Sequence, residues 1–590
     1  MAETQTIDAP DWDLADLFNG PGDPAIDREM SALAEQARHF RDTYAGRLPD
    51  LAGGEMAAAI ASFEAMEDRL GRIVSYAQLL YAAQTEDAEV AQFFQSIQER
   101  ATEIGSDLLF FGLDINQLDE SRLSALCAHP GVAHYRPWLD NLRLFRDHQL
   151  SDEQERLLHE KAVAGQAAWV RLFDETMARL RFPFGGETLS EAEILNKLSA
   201  PAADTRRQAA LSFAGVLRDN APLFAHITNT LAKDKEIEDK WRRHARPISA
   251  RNLANQVEDE VVEALVTAVS SRYATLSHRY YQLKAGWFGR DQLEFWDRNA
   301  PLPEDHDRHL SWAEARGIVD GAYRAFSPDL ADIAGRFFTD NWIDAKARPG
   351  KSAGAFSHPT VPSAHPYILM NYQGKIRDVM TLAHELGHGV HQVLASAQGA
   401  LMADTPLTLA ETASVFGEML TFQDLLTGET DAVRRRVLIA GKVEDMLNTV
   451  VRQIAFHQFE TAVHDRRRSG ELTVDELGDI WMGVQADSLG PAIALTDDYR
   501  IYWAYIPHFI HSPFYVYAYA FGDCLVNSLY AVYQDQPAGF VEKYVDLLKA
   551  GGTLRHRELL APFGLDASDP AFWTKGLSVI ESLIDQLEAT

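Results

Sequence analysis

Cysteine is almost absent from this sequence. Its 590 residues include only Cys127 and Cys524, which lie almost 400 positions apart. One distant pair cannot build a disulfide framework or a CxxC motif for metal binding or redox chemistry. The scarcity excludes the class of small disulfide-stabilised secreted proteins and is typical of a reducing compartment.

The chain also lacks an excess of positive charge. Lys and Arg total 55, Asp and Glu total 86, and the net charge is −31. An acidic surface repels nucleic-acid backbones and anionic lipids. We therefore expect neither a nucleic acid nor a membrane surface among the partners.

A secretion signal and a membrane span are both missing from the sequence pattern. The start, MAETQTIDAPDWDLADLF, has no basic residues followed by an apolar run, so it does not resemble a signal peptide. The most apolar stretch, 514–533, contains Asp523, Asn527 and several tyrosines, which favours a buried helix over a span. These features predict a cytoplasmic protein.

Proline is absent between Pro49 and Pro130, and apolar residues there follow helical spacing. The first 180 residues are therefore expected to form several long helices, and 590 residues are enough for at least two subdomains. Turn-forming residues interrupt this pattern at RFPFGGETLS, 181–190, where a short hairpin is one possibility. We place a boundary there, between an N-terminal helical region, 1–190, and a second region, 191–590.

Further along the chain, helices resume to about residue 290, and 296–309 is predicted to be a loop. The strongest strand candidate in the chain is YILMNY, 367–372. It lies immediately before the stretch TLAHELGHGVHQ, 381–392, whose apolar residues return to helical spacing.

Three histidines and a glutamate lie within eight positions of that stretch. His384 and His388 are four residues apart, so both imidazoles lie on one face of a helix and can reach one zinc ion. Glu385 points to the side of that face and can reach a water molecule bound to the ion. This HExxH pattern predicts two metal ligands and a general base.

A catalytic zinc site needs a third protein ligand and an open fourth position. The helical stretch LTLAETASVFGEML, 407–420, supplies Glu411 and, two turns later, Glu418. From spacing alone either glutamate could be the third ligand, and Glu418 could instead orient an imidazole. Gly387 and Gly389 cost about 2 kcal/mol relative to alanine inside a helix, which indicates that another element approaches closely there.

Other histidines offer weaker candidates. His391 lies a turn beyond the expected zinc site, and we expect it to be a hydrogen-bonded core residue. His457, Glu460 and His464 have spacings of three and four that could bind a metal, but packing is the favoured interpretation.

The combination of HELGH with ETASVFGE resembles the oligoendopeptidase F branch of the thimet oligopeptidase family. The resemblance continues in WDLADLF near the start, around 233–262, through HPYILMNYQGKIRDVMTLAHELGHGVHQ, and in HFIHSPFYVYAYAFG, 508–522. It implies a mainly α fold, a helical bowl with a deep substrate channel, the HExxH helix at its base and a small β element beside the active site. The N-terminal region would form part of the channel wall or lid.

The resemblance also assigns roles to residues. It implies one Zn²⁺ per chain bound by His384, His388 and Glu411, with Glu385 as the general base. A strand near 365–372 would pair with the backbone of an oligopeptide substrate. Donors to the developing oxyanion would come from the five residues His508, His511, Tyr515, Tyr517 and Tyr519, of which we choose His508 and Tyr519 first.

The sequence therefore predicts a zinc-dependent oligoendopeptidase that cleaves short unfolded peptides by metal-activated water. A zinc carboxypeptidase that holds the substrate's C-terminal carboxylate through an arginine or lysine is the first alternative. A non-enzymatic helical peptide-binding protein is the second, although three ligands with a vacancy favour catalysis.

Overall fold

Helices dominate the computed structural model, which describes residues 9–162, 164–303 and 309–589. About 70% of the residues are helical and 4% lie in strands, as predicted for a mainly α protein. Part of the predicted loop 296–309 and residues 1–8 fall outside the described residues. Within the described residues, none of the helices combines the length and apolar composition that crossing a bilayer requires.

The α-helices follow one another with short connections. In chain order they are α1 Pro24–Tyr44, α2 Gly53–Ala83, α3 Ala88–Gln117, α4 Glu120–Cys127, α5 Pro130–Ala133, α6 Arg136–Arg143, α7 Asp152–Ala162, α8 Gln166–Arg179, α9 Glu191–Lys197, α10 Ala203–Asp219, α11 Ala221–Trp241, α12 Ser249–Ala254, α13 Asp259–Ser270, α14 Arg279–Trp287, α15 Trp312–Phe326, α16 Pro328–Thr339, α17 Ile376–Ala395, α18 Leu407–Gly428, α19 Ala432–Thr449, α20 Val451–Arg467, α21 Val474–Leu489, α22 His508–His511, α23 Tyr517–Asp535, α24 Phe540–Lys549, α25 His556–Leu560 and α26 Pro570–Glu588.

Several helix starts are encoded by the S/T-x-x-E pattern. Ser190, Ser311 and Thr473 each accept a hydrogen bond from the backbone N–H three residues later, and the glutamate at that position bonds back to the cap. These reciprocal bonds satisfy backbone donors that would otherwise lack a partner at the first turn. The starts of α9, α15 and α21 therefore follow directly from the local sequence.

The strands form three small sheets. In chain order they are β1 Phe182–Phe184, β2 Glu187–Leu189, β3 Leu293–Glu294, β4 Ile343–Lys346, β5 Phe356–His358, β6 Tyr367–Tyr372 and β7 Ile493–Ala494. β1 and β2 form the antiparallel hairpin expected at 181–190, with Gly185 and Gly186 at positive φ in its two-residue turn. β3 pairs in parallel with β7, and the third sheet has the order β4-β6-β5.

The chain divides into two compact units, each assembled from three segments. Unit 1 comprises 1–146, 307–428 and 532–565, and unit 2 comprises 147–306, 429–531 and 566–590. The division differs from the predicted boundary at residue 190, because the chain passes between the units five times. Turn-forming residues indicate where a helix or strand ends, but they do not indicate where the chain returns to an earlier unit.

The core of unit 1 packs around α17. Its apolar residues Val379, Leu382, Leu386 and Val390 are at most 1% exposed. The Tyr323 hydroxyl donates to the Ala383 carbonyl at 2.8 Å, which joins α15 to the middle of α17. The helix that carries the HExxH pattern is therefore held on several sides.

Candidate metal centre

Helices α17 and α18 approach each other backbone to backbone at Gly387. A Cβ atom added at Gly387 would lie 2.3 Å from the Ala413 carbonyl oxygen and 2.6 Å from Ser414 Cα, which is closer than atoms can pack. The close approach predicted from the glycines is thus present. It brings Glu411, on the first turns of α18, to the histidine face of α17.

Three donor atoms converge between these helices. His384 Nε2 lies 3.3 Å and His388 Nε2 3.5 Å from Glu411 Oε2. A tetrahedral zinc ion with bonds of 2.0–2.1 Å separates neighbouring ligand atoms by about 3.3–3.4 Å. Two imidazoles and one carboxylate at this spacing therefore fit one zinc ion. Within the described residues, no other group of three His, Cys, Asp or Glu residues meets the same spacing criterion.

Each of these candidate ligands also has a second contact that fixes its orientation. Glu418, the rival ligand, lies 3.3 Å from His384 Nδ1 and so orients that ring. The His388 ring hydrogen-bonds to the backbone of Ala410. The Ser414 hydroxyl donates to Glu411 Oε2 at 2.7 Å. Such contacts fix the imidazole tautomer and the direction of the ligand lone pairs.

Glu385 adjoins the three ligands and is only 6% exposed. Burial raises the pKa of its carboxyl to about 7, although the charge of His384 and a hydrogen bond from the backbone N–H of Ser357 oppose the shift. A carboxyl that titrates near neutral pH can both take up and release a proton during one reaction cycle. The position and pKa of Glu385 suit a general base.

The two histidines differ in their affinity for protons in the metal-free protein. Burial lowers the pKa of both rings. For His384, the hydrogen bond to Glu418 and the charges of Glu411 and Glu418 outweigh burial and raise the pKa to about 9. For His388, burial prevails and the pKa is about 4.

Zinc binding is therefore expected to release at least about one proton at pH 8, that of His384. Zinc ligation requires a neutral imidazole, while His384 is mostly protonated at this pH because its pKa of about 9 lies above it. Apparent zinc affinity should accordingly rise with pH up to about 9. Calorimetric titration in buffers of different ionisation enthalpy measures the proton count, and a count of zero would contradict the expectation.

His391 lies outside the donor set. It is 5% exposed, and its Nε2 lies 3.4 Å from the Thr405 hydroxyl. Burial lowers its pKa to about 4. It is the hydrogen-bonded core residue that the sequence predicted.

The strand expected to pair with substrate, β6, is the central strand of its sheet. Ile368 and Leu369 have partners on both sides, Ile343 and Asp344 in β4 and Ser357 and Phe356 in β5. An extended peptide cannot add to a strand whose two edges are already paired. The prediction that the strand near 365–372 pairs with the substrate backbone is therefore wrong at Ile368 and Leu369, because neighbouring strands already occupy both edges there.

The second histidine cluster forms an uncharged group in unit 2, in which His457 and Glu460 are buried and His464 is half-buried. Burial lowers the pKa of His457 to about 4 and that of His464 to about 3, and it raises the pKa of Glu460 to about 8. Glu460 Oε1 accepts the backbone N–H of Phe514 at 2.9 Å. These residues pack, in agreement with the favoured sequence interpretation, and they do not meet the spacing of a metal site.

Glu460→Gln is expected to stabilise the protein at alkaline pH. Because the folded-state pKa of about 8 lies above the usual glutamate pKa of 4.5, the stability associated with the neutral carboxyl is complete below pH 4.5 and is lost as pH rises towards 8. Glutamine stays neutral at every pH. The melting temperature of the Glu460→Gln variant should therefore exceed that of wild type at pH 8.5 by at least about 2–4 °C, the shift expected for about 1 kcal/mol in a large domain. The exposed control Glu471→Gln should show no such gain.

Three of the five predicted oxyanion donors cluster in unit 2. His508 Nε2 lies 3.1 Å from the Tyr519 hydroxyl, and the Tyr515 ring lies 5.9 Å from His508 and 5.2 Å from Tyr519 between centroids. Burial and the charge of Arg452 lower the pKa of His508. A neutral imidazole paired with a phenol can present an N–H or O–H donor.

The other two predicted donors have different partners. Tyr517 is fully buried, and its hydroxyl donates to Asn252 Oδ1 at 2.8 Å and accepts from Asn255 Nδ2 at 2.9 Å. His511 Nε2 lies 2.7 Å from Asp174 Oδ1 on α8. The Tyr517 hydroxyl and the His511 ring therefore have hydrogen-bond partners other than the His508–Tyr519 pair.

Sequence reasoning missed the contacts that hold β5 beside the general base. The Ser357 hydroxyl donates to Gln392 Oε1 at 2.9 Å, and Gln392 Nε2 donates to the Ser357 carbonyl at 3.2 Å. This reciprocal pair fixes the strand whose N–H bonds to Glu385. Gln392 lies two turns after Glu385 on α17. This spacing is the one signal in the sequence that could have indicated that Gln392 lies beside the general base.

Comparison with known proteins gives consistent matches along the chain. The model of peptidase family M3 matches residues 197–579, and the model described as oligopeptidase F matches residues 114–182. The gap between these matches, 183–196, contains all of the β1–β2 hairpin except Phe182.

Relatives and solved structures of similar length match as well. Oligopeptidase PepF of Bacillus subtilis (strain 168) is 26% identical over 593 residues, covering 98% of this chain and 86% of that protein. An oligoendopeptidase F homolog of Borreliella burgdorferi is 24% identical over 532 residues, covering 89% of each. The crystal structure of oligoendopeptidase-F from Enterococcus faecium has a TM-score of 0.74 at 22% identity, covers 96% of this chain and 98% of that chain, and shares the fold.

Proposed function

We propose, from the premise that the chain belongs to peptidase family M3 and its oligopeptidase F branch, that it is a zinc-dependent oligoendopeptidase. It hydrolyses internal bonds of short unfolded peptides and uses one zinc ion per chain. Its cytoplasmic location remains a prediction from the sequence.

One observation carries this proposal. The donor atoms of His384, His388 and Glu411 have the spacing of a tetrahedral site, with a buried carboxyl of raised pKa next to them. Three protein ligands leave a fourth position for water or substrate, which is the arrangement of catalytic rather than structural zinc.

When bound, zinc would supply a water of lowered pKa and would polarise the scissile carbonyl. Glu385 accepts a proton from the attacking water on its carboxylate oxygen and then donates it to the leaving amine nitrogen. The hydrogen bond from the Ser357 N–H and the tight packing of α17 hold that carboxylate in place. We assign His508 and Tyr519, with Tyr515 beside them, as hydrogen-bond donors to the developing oxyanion. No covalent enzyme intermediate is required.

The test is mass spectrometry of the fragments formed from a mixed pool of peptides of different lengths. The zinc-loaded protein should produce internal cleavages of short peptides, and a chelator should stop them until zinc is restored. A peptide blocked at both ends should still be cut, whereas an obligate carboxypeptidase would leave it intact. An absence of zinc-dependent fragments from every peptide would refute the proposal.

A further inference from the structure

A buried tyrosine of unit 1 holds α17 beside the first histidine of the HExxH pattern. The Tyr323 hydroxyl on α15 donates to the Ala383 carbonyl at 2.8 Å, and Ala383 directly precedes His384. A Cβ atom added at Gly417 of α18 would lie only 2.0 Å from the same hydroxyl oxygen, so the glycine makes room for it. The Tyr323 hydroxyl therefore contacts both helices that carry the candidate zinc ligands.

A second buried tyrosine of unit 1 holds α18 beside the candidate carboxylate ligand. The Tyr544 hydroxyl on α24 donates to the Thr412 carbonyl at 2.9 Å, and Thr412 directly follows Glu411. The Tyr544 ring packs against Phe416 of α18 and Phe326 of α15, with centroid distances of 4.6 and 5.6 Å. This packing fixes the ring and keeps the hydroxyl directed at the carbonyl.

Both hydroxyls are permanent donors. Burial raises the pKa of Tyr323 and that of Tyr544, so neither phenol loses its proton near neutral pH. A carbonyl inside a helix accepts one hydrogen bond from the N–H four residues later and has a second lone pair for another donor. The tyrosines therefore add a contact to each helix without breaking its backbone hydrogen bonds.

Such contacts matter because a small rotation of either helix displaces its ligand atoms. Helices α17 and α18 meet backbone to backbone at Gly387, which has no side chain that could interlock with the neighbouring helix. A rotation of about 5° moves an atom about 5–6 Å from the helix axis by about 0.5 Å. Zinc sites keep their bond lengths within about 0.2 Å. Both helices therefore need contacts that prevent rotation.

We propose that Tyr323 and Tyr544 are positioning residues for the metal centre. Their hydroxyls hold His384 on α17 and Glu411 on α18 in the geometry that binds zinc, and each acts through the backbone of the residue next to the ligand. This inference rests on the proposed function, because the ion is the catalytic zinc assigned there. It extends the site to α15 and α24, which carry none of its candidate ligands.

The experiment compares Tyr323→Phe and Tyr544→Phe with wild type and with the control Tyr372→Phe. Phenylalanine keeps the packed ring and removes only the hydroxyl. Tyr372 is equally buried in unit 1, and its hydroxyl donates at 2.8 Å to the carbonyl of Leu310, which lies on neither α17 nor α18. The control therefore loses the same kind of hydrogen bond at a distance from the ligand helices in the chain.

Zinc affinity is measured by competition with a chromophoric chelator. Tyr323→Phe and Tyr544→Phe should each weaken zinc binding about 10- to 100-fold, the loss typical of residues that orient metal ligands. Tyr372→Phe should keep zinc affinity within about twofold of wild type. Cobalt-substituted Tyr323→Phe and Tyr544→Phe should also absorb less visible light per bound ion than wild type, because water replaces a displaced ligand and the coordination departs from a tetrahedron.

Wild-type zinc affinity in either variant would overturn the assignment of that tyrosine. An equal loss of affinity in Tyr372→Phe, or an unchanged cobalt spectrum in both variants, would mark a general loss of stability and overturn the inference. Metal binding is measured without a peptide and is therefore independent of cleavage. Weakened binding in both variants, with no peptide cleaved by zinc-loaded wild type, would support the positioning role and refute the proposed function.

Discussion

Glu385→Gln is expected to lower the turnover of an oligopeptide by about 10²–10⁴-fold while one zinc ion per chain stays bound. Glutamine has nearly the same size as glutamate and can still accept the Ser357 N–H through its side-chain oxygen. It cannot take up a proton from water, and general acid–base catalysis contributes an acceleration of that size. Peptide turnover and zinc content are measured on the same preparation.

The exposed substitution Glu471→Gln provides the matched control, because it makes the same chemical change outside the site. It should leave turnover within about twofold, as surface substitutions usually perturb little. If Glu385→Gln kept wild-type turnover, Glu385 would not be the base. A loss of zinc in that variant would instead make it part of the metal site.

Gly387→Ala is expected to abolish stoichiometric zinc binding at micromolar zinc and to destabilise unit 1. The added methyl would collide with the backbone of α18, 2.3 Å from the Ala413 carbonyl oxygen. Backbone atoms cannot turn aside as a flexible side chain can, so α17 and α18 must separate and Glu411 must move away from the histidines. Overpacking of this kind costs about 1–3 kcal/mol. Zinc titration and thermal unfolding measure the two effects.

Gly321→Ala in α15 is the control, since a Cβ there would meet nothing within 4 Å. Replacing a helical glycine without a clash should stabilise the protein by about 0.4–1 kcal/mol and leave zinc affinity unchanged. Wild-type zinc affinity in Gly387→Ala would show that the two helices can separate without disturbing the ligands.

The parts of the site that were predictable depend on local geometry. His384, Glu385 and His388 belong to one helix, where spacing alone fixes which side chains share a face. The hairpin at 181–190 and the capped starts of α9, α15 and α21 follow from turn and capping residues in the same way. Glu411 could be proposed because of the resemblance to the oligoendopeptidase F branch, whereas spacing alone left Glu418 as a rival.

The remaining features depend on contacts between residues far apart in the chain. Nothing near YILMNY shows that β4 and β5 cover both of its edges, because β4 begins 24 positions earlier. Tyr517 and Tyr519 look alike in sequence, but only the fold places Asn252 and Asn255 around the hydroxyl of Tyr517.

The central claim, one zinc ion held by His384, His388 and Glu411, is tested most directly by anomalous X-ray diffraction at the zinc edge on crystals of the active protein. The account predicts one anomalous peak per chain, about 2.0–2.2 Å from the Nε2 atoms of both histidines and from a Glu411 carboxylate oxygen. A peak at another location, or active crystals without a metal peak between α17 and α18, would contradict it.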